Sequence, residues 1–237
     1  MSARAPFDLV IFDLDGTLVD SAPDIAAALN ATLADAGVPT LPLDVVIGFV
    51  GDGAAKLLER ALAGAPAGGE PRPTATALLQ RFLANYGDRL CDATRLYPGV
   101  TELLHELRAA GATLAVLTNK PEPLARDLLR ALGIAGHFQA IVGDGAGFPR
   151  KPDPAAARDI IARAGAPLAR TAVVGDGLPD VRMAAAVPCA SVAAAWGYVA
   201  ESRLLEERPR FLARSVAEAA RILLDGEAPA AVPASKH

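Results

Sequence analysis

The sequence predicts an α/β fold, a doubly wound, Rossmann-like parallel sheet with a helical segment inserted after its first strand. Three features point there. A short apolar run, Phe7 to Phe12, ends in the acidic turn Asp13-Leu14-Asp15-Gly16-Thr17, as expected of a strand buried on both faces. From Val100 onward, strand-like and helix-like stretches alternate, the pattern of a parallel sheet with right-handed crossovers. Between these regions, Ser21 to about Cys91 holds helices and no convincing strand, and so reads as an insertion.

Taken in order, the first helix is capped by Asp20 or Ser21, accepts Pro23 in its first turn, and buries Ile25, Leu29, Thr32 and Leu33 until Gly37 ends it. A second begins after Gly51-Asp52-Gly53 and carries Leu57, Leu58 and Leu62. Gly64 to Pro73, dense in Gly, Ala and Pro, reads as a loop, and Thr74 to Leu90 returns to helix. Helices are then expected over 100–109, 124–132, 155–164, 180–186 and 216–224, with strands over 113–117, 139–142, 171–174 and 190–192. The expected division is a core of 1–20 and 92–225, a helical cap of 21–91, and a fraying tail of 226–237. Hinges belong where the chain crosses between them, near Val19 to Ser21 and near Cys91 to Leu96.

Composition narrows the function without choosing it. A hydrophobic content of 52%, rich in alanine and with only 5% aromatic residues, suits a globular protein of closely packed helices. A net charge of −4 leaves no electrostatic footprint for nucleic acid. Cys91 and Cys189 lie far apart without ligand spacing, so they read as buried small apolar residues in a reducing cytoplasm. Asp8, Asp13 and Asp15 interrupt the apolar run near the N-terminus, which argues against a signal peptide. The uncharged stretch Met183 to Ala200 contains Pro188, Ser191 and Gly197, and reads as helix end, strand and loop rather than a membrane span. The sequence leaves monomer and homodimer equally open.

The acidic turn is the densest concentration of chemistry. Residues i and i+2 of a strand share a face, so Asp13 and Asp15 start on one side before Gly16 turns the chain. Two such carboxylates repel unless a cation sits between them, and Mg²⁺ with oxygen ligands also keeps positions open for a phosphate. An EF-hand fits less well, because Thr17 replaces an acidic ligand and Asp24 stands where a glutamate is needed. Ligands of a doubly wound sheet bind at the carboxyl ends of the strands. There the later strands deliver Thr118 and Asn119, then Gly175, Asp176, Gly177 and Asp180, while Lys151 comes from the loop before a helix opened by Pro152 and Pro154.

In order, these pieces are Asp13-Leu14-Asp15-Gly16-Thr17, Thr118-Asn119, Lys151-Pro152 and Gly175-Asp176-Gly177-Leu178-Pro179-Asp180. The set resembles the four motifs of the haloacid dehalogenase superfamily, over nearly the whole chain. The resemblance implies Asp13 as the nucleophile that forms an aspartyl-phosphate, and Asp15 as the acid and then base. It also implies Mg²⁺ held by Asp13, the main-chain carbonyl of Asp15, and Asp176. By the same likeness Lys151 is expected to supply a fixed cation, the Thr118 hydroxyl with nearby amides to hold phosphate oxygens, and Asp180 to orient water or Lys151 from behind. Asp15 favours phosphate esters over halides, since only an alkoxide needs a proton. The likeness departs at Gly177, where a serine is common.

The segment Ile47 to Leu62 is similar to the cap helix of bacterial phosphoglycolate phosphatases, as are the flanking runs Asp13 to Pro23 and Leu117 to Pro121. That likeness implies a small phosphorylated metabolite as substrate, with no nucleic acid or membrane partner. A substrate carboxylate is then expected at the helix start by Gly51 and Gly53 and at Lys56, with Arg60 as a helper. Sugar phosphates, pyrophosphate or a phosphoglucomutase reaction fit the same architecture, and a non-catalytic module binding a phosphorylated metabolite is the rival from another class. The run Gly143 to Gly147 lacks the spacing of a nucleotide fingerprint, and His105, His137 and His237 have no part in the expected chemistry.

Overall fold

The computed structural model describes residues 5–64 and 73–226. Residues 65–72 of the expected loop, the tail from 227 onward and His237 lie outside the described residues. The elements run β1 (Leu9–Phe12), β2 (Val19–Asp20), α1 (Ala22–Asp35), α2 (Leu43–Ile47), α3 (Ala54–Gly64), α4 (Ala75–Gly87), β3 (Arg95–Leu96) and α5 (Val100–Ala109). They continue with β4 (Thr113–Pro121), α6 (Glu122–Ala131), β5 (Ala140–Asp144), α7 (Ala155–Ala164), β6 (Thr171–Gly175), α8 (Leu178–Ala186), β7 (Ala190–Ala194), α9 (Glu201–Glu206), β8 (Phe211–Ala213) and α10 (Val216–Asp225).

Six strands form one sheet in the order β5-β4-β1-β6-β7-β8, and every paired neighbour is parallel. The strand order reverses beside β1, which places the ligand crevice of a doubly wound sheet at the carboxyl end of β1. All of β1 is buried, and its period-two alternation divides it between two cores. Val10 and Phe12 pack with Leu104 of α5, Leu128 of α6 and Ile222 of α10. Leu9 and Ile11 pack on the other face with Ile160 of α7 and Met183 of α8.

The helices α1 to α4 enclose a separate apolar cluster built on Leu29, Leu33, Val46, Leu58, Ala61 and Phe82. The two chain crossings into this segment meet as a small antiparallel ribbon, with Val19 opposite Leu96 and Asp20 opposite Arg95. Buried Asp24, in the first turn of α1, accepts from Ala93 N at 2.9 Å, Thr94 N at 2.7 Å and Thr94 Oγ1 at 2.7 Å. The crossings are thereby stapled together by one carboxylate.

Several elements depart from expectation. Ser21 precedes α1 but does not cap it, because its hydroxyl donates to Asp15 Oδ1 at 2.6 Å instead. The second strand of the large sheet in chain order, β4, was expected to stop at Leu117 and runs on to Pro121, with an irregularity after Leu117. The short elements β2, β3, α2, α9 and β8 carry too few residues to show a periodicity. Among the described residues no helix is long and apolar enough to cross a membrane.

Leu58 is fully buried at the centre of the helical segment's cluster. Leu58→Ala is expected to lower stability by about 3 kcal/mol in urea denaturation, since it removes packed methyl groups and leaves a cavity.

Candidate active site

Register carries the acidic turn to its partners. Phe12 pairs with Val116 on one side and Val174 on the other. One residue further on, Asp13 N donates to Val174 O at 2.8 Å, so its side chain emerges between the ends of β4 and β6. There Lys151 Nζ lies 2.8 Å from Asp13 Oδ1 and 2.7 Å from Asp180 Oδ1. Asp176 accepts from Thr17 Oγ1 at 3.1 Å and from Tyr198 N at 2.7 Å, while Thr17 Oγ1 accepts from Asp176 N at 3.0 Å. Asp180 Oδ2 accepts from Gly177 N at 3.1 Å.

Close backbone approach makes this possible. Gly16 adopts φ +80°, and a Cβ there would sit 2.3 Å from Asp176 Oδ2. A Cβ at Gly197 would come within 2.3 Å of both Asp176 Cβ and Gly16 O. Two loops thus close on one carboxylate only because neither carries a side chain at its nearest point.

The electrostatics are unbalanced. Oxygens of Asp13, Asp176 and Asp180, all buried, lie within 4.8 Å of one another. Burial, reinforced by the charge of Asp13, pushes the Asp176 carboxyl up to about 8. Burial also raises Asp180, and Lys151 offsets part of that rise. Burial disfavours the Lys151 ammonium, but Asp13 and Asp180 outweigh it and hold its pKa above the ordinary lysine range. With all three ionised, the carboxylates set against one lysine leave a deficit of two positive charges. A divalent cation would supply that charge, and an all-oxygen donor set suits a hard ion.

The remaining expected residues divide into those that meet at this centre and those that do not. Asp15 turns its carboxylate away from the cluster, toward Lys120 Nζ at 2.9 and 3.3 Å and toward the Ser21 hydroxyl. Thr118 Oγ1 accepts from Lys120 N at 3.2 Å, which leaves its own proton to donate. Asn119 was expected among the catalytic residues, but its side-chain amide is spent on scaffolding. It donates to Gly51 O at 3.0 Å and Lys151 O at 3.2 Å, and accepts from Lys151 N at 2.9 Å. Gly177 stands against Asp180, where a Cβ would meet Asp180 Oδ2 at 3.0 Å.

A cleft opens between the strand ends and the helical segment. Asp13, Asp15, Thr118 and Lys120 line its floor, with Ile25, Val50, Leu57 and Phe82 above, and Gly51 and Gly53 at its edge. Lys56 does not line it. Leu57, Leu58 and Ala61 turn one face of α3 inward, so Lys56 projects outward with its side chain 56% exposed and pairs with Glu59 at 2.5 Å. Arg60 likewise braces the preceding loop through Asp52 and Phe49 O.

Sequence reasoning missed Lys120, Tyr86 and Tyr198. Lys120 was detectable, because it stands two residues from Thr118 on an extended run and so on the same face. Tyr198 gave no such hint. Its hydroxyl accepts from Ser21 N at 2.8 Å and Ala22 N at 2.9 Å and donates to Asp20 Oδ1 at 3.0 Å, all partners remote in sequence.

Residues 7–187 match the family described as haloacid dehalogenase-like hydrolase. A phosphoglycolate phosphatase from Caulobacter vibrioides is 41% identical over 194 residues, covering 81% of each chain. Another protein of that name, from Haemophilus influenzae strain 86-028NP, is 37% identical over 221 residues, or 92% of this chain and 98% of its own. Among solved structures, one described as a predicted phosphoglycolate phosphatase from Haemophilus somnus 129pt matches with a TM-score of 0.87 and 33% identity, over 93% of this chain and 99% of that one. With its motif residues gathered at the strand ends and its sequence matching over this span, the chain belongs to the haloacid dehalogenase-like hydrolases.

Proposed function

We propose that the protein is a cytoplasmic, Mg²⁺-dependent phosphomonoesterase that converts 2-phosphoglycolate to glycolate and phosphate. The observation that carries this reading is the Asp13 carboxylate, fixed by Lys151 at the floor of the cleft beside Thr118, with Asp15 close by in sequence but in a separate ion pair. The names of relatives 37% and 41% identical over most of their length support the substrate.

In this reading Asp13 attacks phosphorus, the ester oxygen departs as Asp15 protonates it, and an acyl phosphate remains on Asp13. Asp15, now a carboxylate, takes a proton from water as that water attacks the same phosphorus, and Asp13 is released with inorganic phosphate. Thr118 donates to a phosphate oxygen, Lys151 holds Asp13 in place, and Asp180 holds Lys151. Asp13, Asp176 and the main-chain carbonyl of Asp15 would hold Mg²⁺, which when bound neutralises the charge of phosphate and carboxylates.

Two outcomes follow. Asp13→Asn is expected to lower kcat/KM for 2-phosphoglycolate by on the order of 10⁴-fold, measured as phosphate release against the wild type. Survival of full activity would remove Asp13 as nucleophile. The second concerns the metal. Asp176 titrates above its unfolded value in the metal-free fold, so its contribution to stability is present at low pH and lost as pH rises through about 8. Asp176→Asn is therefore expected to raise the metal-free Tm by about 3 °C near pH 9, with less gain near pH 5. The same variant should lose the Tm increase that Mg²⁺ gives the wild type.

A further inference from the structure

We infer that Lys120 and Tyr86 together form a carboxylate clamp, which makes the site selective for esters carrying a second anion one carbon from the ester oxygen. The inference rests on the phosphomonoesterase reading, and gives its substrate preference a location different from the cap helix start.

Of the residues lining the cleft, Lys120 is the one with a positive charge, since Lys151 lies between Asp13 and Asp180. The Lys120 side chain is only 3% exposed, so an anion reaching it exchanges little water for a charge-assisted hydrogen bond. Its ammonium has three protons and meets two partners among the described residues, the Asp15 carboxylate and the Tyr86 hydroxyl. The longer of the two Asp15 contacts, to Oδ2 at 3.3 Å, is the one that a substrate oxygen can replace. Tyr86 accepts from Lys120, and burial raises its pKa well above the ordinary tyrosine value, so the phenol keeps a proton to donate. An N–H and an O–H, a hydrogen bond apart, match the two oxygens of a carboxylate.

Tail length follows from the same geometry. The leaving oxygen must reach Asp15, and Lys120 Nζ lies 2.9 Å from that carboxylate. A second anion held by Lys120 must then lie close to the ester oxygen, as in a phosphorylated 2-hydroxy acid without branches. Phe82, whose ring centroid is 6.0 Å from that of Tyr86, and Ile25 and Leu57 offer no partner to the hydroxyls of a longer polyol. Tyr86 comes from α4 while Lys120 and Asp15 come from the strand ends, so the clamp also ties the helical segment to the bound substrate.

The test compares two non-hydrolysable phosphonates of equal length as competitive inhibitors, 3-phosphonopropionate and propylphosphonate, with aryl phosphate as the reporter substrate. In the wild type the carboxylated compound is expected to bind more tightly. Lys120→Met should reduce that ratio of inhibition constants by about thirtyfold, and Tyr86→Phe by about tenfold. Lys120→Arg should restore part of it. A wild-type preference that persists in both Lys120→Met and Tyr86→Phe overturns the clamp and leaves the substrate assignment standing. A wild type without any preference overturns the substrate assignment and the clamp together.

Discussion

Lys151 is buried between Asp13 and Asp180, with Asp176 crowded against the same centre, and the surrounding structure serves to hold this arrangement. Like charges in a medium that screens poorly are costly, so each carboxylate needs donors on its oxygens. Backbone and hydroxyl groups supply them. Leu14 N donates to Asp13 at 2.7 Å, Gly177 N to Asp180, and Tyr198 N with the Thr17 hydroxyl to Asp176. With the three carboxylates ionised, Lys151 supplies one of the three positive charges needed, and two are missing. That deficit is what a divalent ion would offset.

The constraint reaches outward through a few side chains. Asn119 fixes the Lys151 backbone and at the same time binds Gly51 O at the start of the loop before α3. Tyr198 places its main-chain amide on Asp176 and its hydroxyl on the N-terminus of α1. Lys120 joins Asp15 to Tyr86 of α4. The helical segment is thus fastened to the strand ends through these side chains and the Ser21 hydroxyl on Asp15, besides the Asp24 staple across the chain crossings. Small displacements of this segment would be felt directly by the residues around Asp13.

The doubly wound order and the helical insertion were legible because their signals are long-lived in the sequence. Helices 100–109 and 155–164 were placed to the residue, since Leu103, Leu104 and Leu107, and Ala156, Ala157, Ile160 and Ile161, recur at helical spacing. The motif residues were legible because Asp13 and Asp176 directly follow strand ends, Thr118 and Asn119 sit where the apolar run of β4 gives out, and parallel register brings those ends together; Lys151 reaches them from the loop before α7. Lys56 was misplaced for an equally physical reason. Sequence shows a cation near a glycine turn, but the burial of Leu57, Leu58 and Ala61 decides which way the helix faces, and that depends on α1 and α4. Asn119 was misassigned because its partners, Gly51 and Lys151, are 68 and 32 residues away. The pairing of Lys120 with Tyr86, 34 residues apart, left no local trace either.

The most direct test of the central claim is to trap the covalent intermediate. Enzyme mixed with 2-phosphoglycolate and Mg²⁺ would be acid-quenched within one turnover, reduced with borohydride, and mapped by peptide mass spectrometry. Acyl phosphate on Asp13 predicts conversion of that residue to homoserine, in an amount that follows the phosphorylated fraction. Turnover with Asp13 unmodified, or homoserine at Asp15 or Asp176 in its place, would contradict the assignment of the nucleophile and the reading of the charge cluster built around it.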